Sequence, residues 1–99
     1  MAQTVTIDNG DSPYNITLIG ADGDLILVDS TAGPVDIYLP NPVVNGRRHH
    51  IKDKYGTTDT NPITIYATPN LIDNVGTFVL TVERQSILAH SDSTNWWII

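Results

Sequence analysis

Arg47-Arg48-His49-His50-Ile51-Lys52-Asp53-Lys54 gathers four of the chain's five Lys and Arg residues and two of its three His into eight positions. Such a run could bind phosphate, hold a metal or pair with an acidic surface, and its pattern decides among these. A nucleic-acid site needs interleaved aromatic platforms and a favourable field. The run has no aromatic residue and the chain carries a net charge of −6, so no nucleic-acid partner is expected. Adjacent side chains leave opposite faces of a strand, so one chain cannot easily direct both His49 and His50 at one ion. A threefold axis could instead gather three copies of one histidine, but nothing in the sequence indicates it, and no metal or other cofactor is expected. A salt-bridging strip facing acidic surfaces, a neighbouring subunit's included, suits these charges best, because rim charges set register and orientation more than affinity.

Ser86, His90 and Asp92 supply the residue types of a nucleophile, a base and an orienting acid. Ser86 and His90 would share a strand face, yet neither a nucleophile elbow nor an oxyanion donor arrangement accompanies them. Asp22, Asp24, Asp29 and Asp36 stand near turns, where carboxylates usually accept backbone hydrogen bonds. Glu83 is the only glutamate, which leaves a glycosidase pair unplaced, and no phosphate-cradling glycine loop is present. The expectation is a protein that is not an enzyme.

The elements that must position these residues are short β-rich runs: Thr4–Ile7, Tyr14–Ile19, Leu25–Asp29, Val35–Leu39, Arg48–Lys52, Pro62–Ala67, Thr77–Val82, Ser86–His90 and Trp96–Ile99. Asn9-Gly10, Ala32-Gly33-Pro34, Asn45-Gly46, Tyr55-Gly56 and Val75-Gly76 supply the turn chemistry between them. Thr4-Val5-Thr6-Ile7, Asp36-Ile37-Tyr38-Leu39 and Thr64-Ile65-Tyr66-Ala67 alternate polar with apolar, the period of a sheet with one wet and one dry face. Helical spacing is hard to find; even Leu80–Ala89 holds residues that favour strands. The sequence therefore predicts a single all-β domain over residues 1–99, a compact sandwich or barrel of about nine short strands.

Asp29-Ser30-Thr31-Ala32-Gly33-Pro34-Val35-Asp36-Ile37-Tyr38-Leu39-Pro40 and Asp59-Thr60-Asn61-Pro62-Ile63-Thr64-Ile65-Tyr66-Ala67-Thr68-Pro69 share a turn, a Pro, an Ile-Tyr pair and a closing Pro. Pro13-Tyr14-Asn15-Ile16-Thr17-Leu18 is a fainter copy. Unequal spacing argues against a solenoid. Two accounts remain, proline opening exposed strands and quasi-equivalent corners of a prism or barrel. Cysteine is absent, which removes disulfides and thiolate sites. No apolar run approaches the roughly 20 residues that span a bilayer, so membrane insertion is not expected and the chain reads as soluble and unprocessed.

Trp96-Trp97-Ile98-Ile99 is the densest apolar stretch. Left in water it would form an association-prone patch, so it is expected to be a paired strand. Alternation puts Trp96 and Ile98 on one face and Trp97 and Ile99 on the other, one face for the domain's own core and one for a second chain. Together with the basic strip this gives a predicted subunit interface of Arg47, Arg48, His50, Trp96, Trp97, Ile98 and Ile99. A sugar-binding platform on one tryptophan is the functional alternative.

Asn45-Gly46-Arg47, Ile51-Lys52-Asp53, Gly56, Asn61-Pro62-Ile63-Thr64-Ile65 and the ending Ser91-Asp92-Ser93-Thr94-Asn95-Trp96-Trp97-Ile98-Ile99 form a pattern that resembles small all-β modules of tailed-phage virion structural proteins: head decoration or cement proteins, tail fibres and tailspikes. The resemblance covers residues 20–99, leaving 1–19 as more variable N-terminal strands. It implies a homotrimer. With 99 residues beginning at Met there is room for one module only, which suits a capsid decoration protein on the outer head surface, made in the host cytoplasm and bound to the major capsid protein. Gln3, Val5, Ile7, Asn9, Asp11 and Tyr14, in the variable region, are then the expected capsid contacts. The alternative is a tail-fibre, tailspike or baseplate component that contacts other tail proteins or a host-surface glycan.

Overall fold

The computed structural model describes residues 4–16, 25–40, 46, 48–67 and 70–99. The described residues form nine strands, with β-branched residues at most of their inward positions: β1 Thr4–Asp8, β2 Tyr14–Asn15, β3 Leu25–Asp29, β4 Val35–Tyr38, β5 Arg48–Asp53, β6 Ile63–Tyr66, β7 Thr77–Leu80, β8 Ser86–Ser91 and β9 Trp96–Ile98. A 3-10 turn, Asn9–Asp11, follows β1. Each run expected from the sequence contains one strand, and residues 17–19 of the second run lie outside the described residues. The strands form two sheets, one ordered β1-β3-β5-β8-β9 and the other β2-β4-β6-β7. The protein is an all-β sandwich.

Its connectivity corrects the argument against a solenoid. From β1 to β6 the chain alternates between the sheets, and each strand lies parallel to the one two places earlier. Thr4 sits beside Leu25 and Leu25 beside His50, so successive turns of the coil differ in length. Longer loops cost little extra closure entropy, whereas a one-residue slip would turn every buried side chain outward. The register is therefore kept and the loop lengths are free to vary. Ile37 pairs with Ile65 and Tyr38 with Tyr66, which makes the two Pro-bounded segments neighbouring rungs of one coil. Proline opening exposed strands does not account for that pairing. The fainter copy is displaced, because Tyr14 pairs with Ile37 where the sequence alignment would set it beside Val35.

Inward rows build the core. Val5, Ile26, Ile51 and Ile87 run across one sheet, and Tyr14, Ile37, Ile65 and Phe78 across the other. All eight belong to the core or pack against it, and fully burying such a side chain contributes about 1.5–3 kcal/mol. After β6 the chain stops coiling. β7 returns antiparallel to β6, β8 antiparallel to β5, and β9 antiparallel to β8. Asp73 and Asn74, with φ of 49° and 66°, make a tight reversal that bridges Ile72 to Val75 and sets Ile72 beside Trp96. The reversal covers part of the β9 edge, where Asp73 Oδ1 accepts the Ile98 N–H at 3.0 Å.

Buried Asp53 ties the coil to this returning segment. It sits at the end of β5 beside Val28, and its oxygens accept the N–H groups of Gly56 at 3.1 Å, Thr57 at 3.3 Å, Thr58 at 3.3 Å and Arg84 at 2.9 Å. The Thr58 hydroxyl lies 3.1 Å from the same carboxylate and 2.6 Å from the Val82 carbonyl. Burial pushes the Asp53 carboxyl up, but the N–H groups of Arg84, Thr57 and Thr58 and the Thr58 hydroxyl outweigh it and hold the group below its usual 3.8. Between rungs, Asn9 Nδ2 donates to the Pro34 carbonyl at 2.7 Å and Asn61 Nδ2 to the Ser30 carbonyl at 2.8 Å.

Candidate interaction site

Alternation within the five-stranded sheet sends one set of side chains away from the core. Arg48, His90 and Trp97 form one outward row. Leu25, His50 and Leu88 form the next, extended by Ile99, whose N–H donates to the Leu88 carbonyl at 3.0 Å. Leu27, Lys52 and Ser86 form a third. Leucine in a half-wet sheet position is unusual only when several occur together, and here Leu25, Leu27 and Leu88 join Trp97 and Ile99 on one surface. Ile99 is 75% exposed.

A depression of about 440 Å³ opens on this face, lined by Leu25, His50, Lys52, Ser86, Leu88 and Ile99, with Ile87 beneath. Lys52 Nζ donates to the Arg84 carbonyl at 2.7 Å, which fixes its ammonium at the wall and leaves N–H donors over. Trp97 Nε1 donates to Asp92 Oδ2 at 2.8 Å, which settles the indole orientation. The Asp92 carboxyl is held below its usual value, first by the Asn95 N–H and then by the Trp97 and Thr94 N–H groups. The surface therefore combines an apolar floor with cationic and hydrogen-bonding walls.

The predicted interface residues divide by strand parity. Arg48, His50, Trp97 and Ile99 meet on this outer face. Trp96 is fully buried and Ile98 packs against the core, so Trp96 faces its own domain and is unavailable to a second chain; the indole ring leans on His49 at 5.6 Å. Arg47 lies outside the described residues. The burial of Trp96 also removes it as a sugar platform.

The expected capsid contacts fare less well. Gln3 lies outside the described residues. Ile7 is buried and Val5 is half-buried against the core, because odd positions of β1 face inward, and half-buried Tyr14 of β2 packs against the core in the row of Ile37. Ile7 is corrected from a contact residue to a core residue, and Val5 and Tyr14 are turned toward the core. Asn9 and Asp11 are exposed, but Asn9 ties to Pro34 and Asp11 Oδ2 accepts the Asp8 N–H at 3.0 Å in a capping box. The outward residues of β1 are Thr4, Thr6 and Asp8.

Ser86 and His90 do share the outer face of β8, but four residues of strand place them roughly 13 Å apart. Asp92 is occupied by Thr94, Asn95 and Trp97. Among the described residues no three His, Asp or Glu side chains converge as a metal site, and no helix is long and apolar enough to cross a membrane.

Leu25, Leu27 and Leu88 were missed as interaction residues. The signal was present: Leu25-Ile26-Leu27-Val28 is apolar in both phases of the alternation, as a strand buried on one face and sticky on the other must be. On the opposite side of the molecule, Tyr38 and Tyr66 stack with centroids 4.8 Å apart and planes 16° apart, one strand spacing, so their faces meet each other and their edges stand outward.

No family model matches this sequence, and no curated protein matches it.

Proposed function

We propose that the protein is a non-enzymatic virion structural component, a trimeric decoration or cement protein on the outer surface of a tailed-phage head. The observation that carries this reading is the patterned sequence from Asn45-Gly46-Arg47 to Trp96-Trp97-Ile98-Ile99, which resembles virion β-modules. The gathering of Arg48, His50, Trp97 and Ile99 with three leucines on one sheet face supports it as a surface suited to assembly. A domain of this size buries a modest share of its surface, so contacts between copies add stability the single chain lacks.

Its action would be mass action without chemistry. A protein that binds the assembled shell and not its dissociated subunits stabilises the shell, and three linked copies gain avidity with no new contact. Since the inward residues of β1 are committed to the core, the capsid-facing side chains in this reading reduce to the outward set of β1 and the Asn9–Asp11 turn.

The test is co-sedimentation of the purified protein with expanded phage heads stripped of surface proteins, followed by heating of the heads. Saturable binding at a fixed ratio to capsid subunits, with a raised shell-disruption temperature, is expected. Failure to bind heads together with retention on a host glycan array would overturn the head assignment in favour of the tail-adhesion alternative.

A further inference from the structure

The two outer sheet faces of this molecule differ in charge and shape. The five-stranded sheet presents Leu25, Leu88 and Ile99 around a depression walled by His50, Lys52 and Ser86. The four-stranded sheet presents the opposite: the raised Tyr38–Tyr66 stack, Asp36 in the neighbouring outward row with Thr64, and Val79, which is 41% exposed. Asp36 lies two residues before Tyr38 on the same face of β4, in the row next to the Tyr38–Tyr66 pair, and its charge raises the pKa of the Tyr66 hydroxyl. One face is apolar with a hollow walled by Lys52, with Asp8 and Asp29 in a further outward row; the other is an aromatic knob with Asp36 beside it.

We propose that the outer face of the five-stranded sheet docks a second copy of this chain through the outer face of that copy's four-stranded sheet, with Tyr38 and Tyr66 entering the depression and Asp36 meeting Lys52. The inference rests on the multimeric aspect of the function proposed above and names the surfaces that make it. Charge complementarity selects this occupant. The complementarity is local: Lys52 stands at the wall of the depression on one face and Asp36 in the outward row beside Tyr38 on the other, so the two faces of one chain carry opposite charges where they would meet. Tyrosine suits the knob, with an apolar ring for the leucine floor and a hydroxyl for His50 and Ser86. Because the two surfaces differ, the contact is head-to-tail; it repeats from copy to copy and either closes into a ring or extends.

The experiment is sedimentation velocity and light scattering on the full chain across dilution at low salt, with circular dichroism on every variant. The wild type is expected to be heavier than the 10.8 kDa chain. Lys52→Glu and Asp36→Lys should each weaken association at least about tenfold, and the double variant should regain most of it, since the charges are exchanged and not lost. If Lys52→Glu loses its fold, Val79→Glu at the exposed four-stranded face replaces it and is expected to dissociate the assembly. A wild type that stays at monomer mass overturns both this contact and the trimer. A multimeric wild type that tolerates the single variants, or a double variant that fails to recover, overturns the pairing of these faces and leaves the decoration reading to the capsid-binding assay.

Discussion

Asp53 shows how one buried carboxylate can hold distant segments in register. Its partners lie in the turn after β5 and at Arg84, so it fastens the coil to the turn between β7 and β8. Replacing it with Ala strands the buried Thr58 N–H and the part-buried N–H groups of Gly56, Thr57 and Arg84, and a loss of about 2–4 kcal/mol is expected in urea unfolding. Asp53→Asn keeps one acceptor oxygen and should lose less. The sign of the pH dependence follows from the lowered folded pKa. The unfolded chain takes up the proton first, so the contribution of Asp53 is complete above the unfolded value near 3.8 and disappears as pH falls through the folded one. The Asp53 contribution should therefore be nearly constant above about pH 5 and fall below about pH 4, and the acid fall in stability should be shallower in Asp53→Asn. An unchanged acid limb in that variant would show that other carboxylates govern it. Asp92, held down by its own turn and by Trp97, shifts in the same direction from an exposed site where solvent screens the effect.

Two devices shape the elements, and each makes a measurable difference. The Asp73-Asn74 reversal has positive φ at both central residues, the backbone of a type I′ hairpin, in which glycine is favoured at the second position. Asn74→Gly should raise stability by about 0.5 kcal/mol in thermal unfolding; a loss would mean that the Asn side chain matters to the turn. The Tyr38–Tyr66 stack binds neighbouring rungs, and a double-mutant cycle to Ala is expected to give a coupling of about 0.5–1.5 kcal/mol. Both bear on what the sequence disclosed. Alternation in Thr4-Val5-Thr6-Ile7 and Thr64-Ile65-Tyr66-Ala67 located the strands, because period two is a local property. It could not say which strands become neighbours: Ile37 and Ile65 pair across a long intervening segment, and unequal loops hid the repeat. Likewise the parity of Trp96-Trp97-Ile98-Ile99 defined two faces, but only the pairing of β9 with β8 determined which face joined the core. Asp53 read as one charge in a basic strip, since its partners near Arg84 are remote in sequence.

At the scale of the whole molecule, the coil leaves its two ends unequal. β5 is paired on both sides, parallel to β3 and antiparallel to β8, and β6 likewise between β4 and β7. β1 and β2 each pair with one neighbour and lie at the sheet edges, whereas the reversal at Asp73-Asn74 covers some of the β9 edge. Opening the β1–β2 end exposes one rung and breaks one set of ladder bonds. Opening at β5 or β6 must separate a ladder on each side and disrupt the inward rows through Ile51 and Ile65, which is close to unfolding the domain. Native-state hydrogen exchange should therefore find the slowest amides in β5 and β6, exchanging only through global unfolding, and at least about tenfold faster exchange for the hydrogen-bonded amides of β1 and β2 through local opening. Raising urea should leave the edge rates nearly flat while accelerating the central ones, because little surface is exposed in the smaller opening. Equal rates and equal urea dependence throughout would instead mean that the first rung is bound as tightly as the rest. The coil would then open only as a single unit, and the N-terminal strands could not adapt to a partner without unfolding the core.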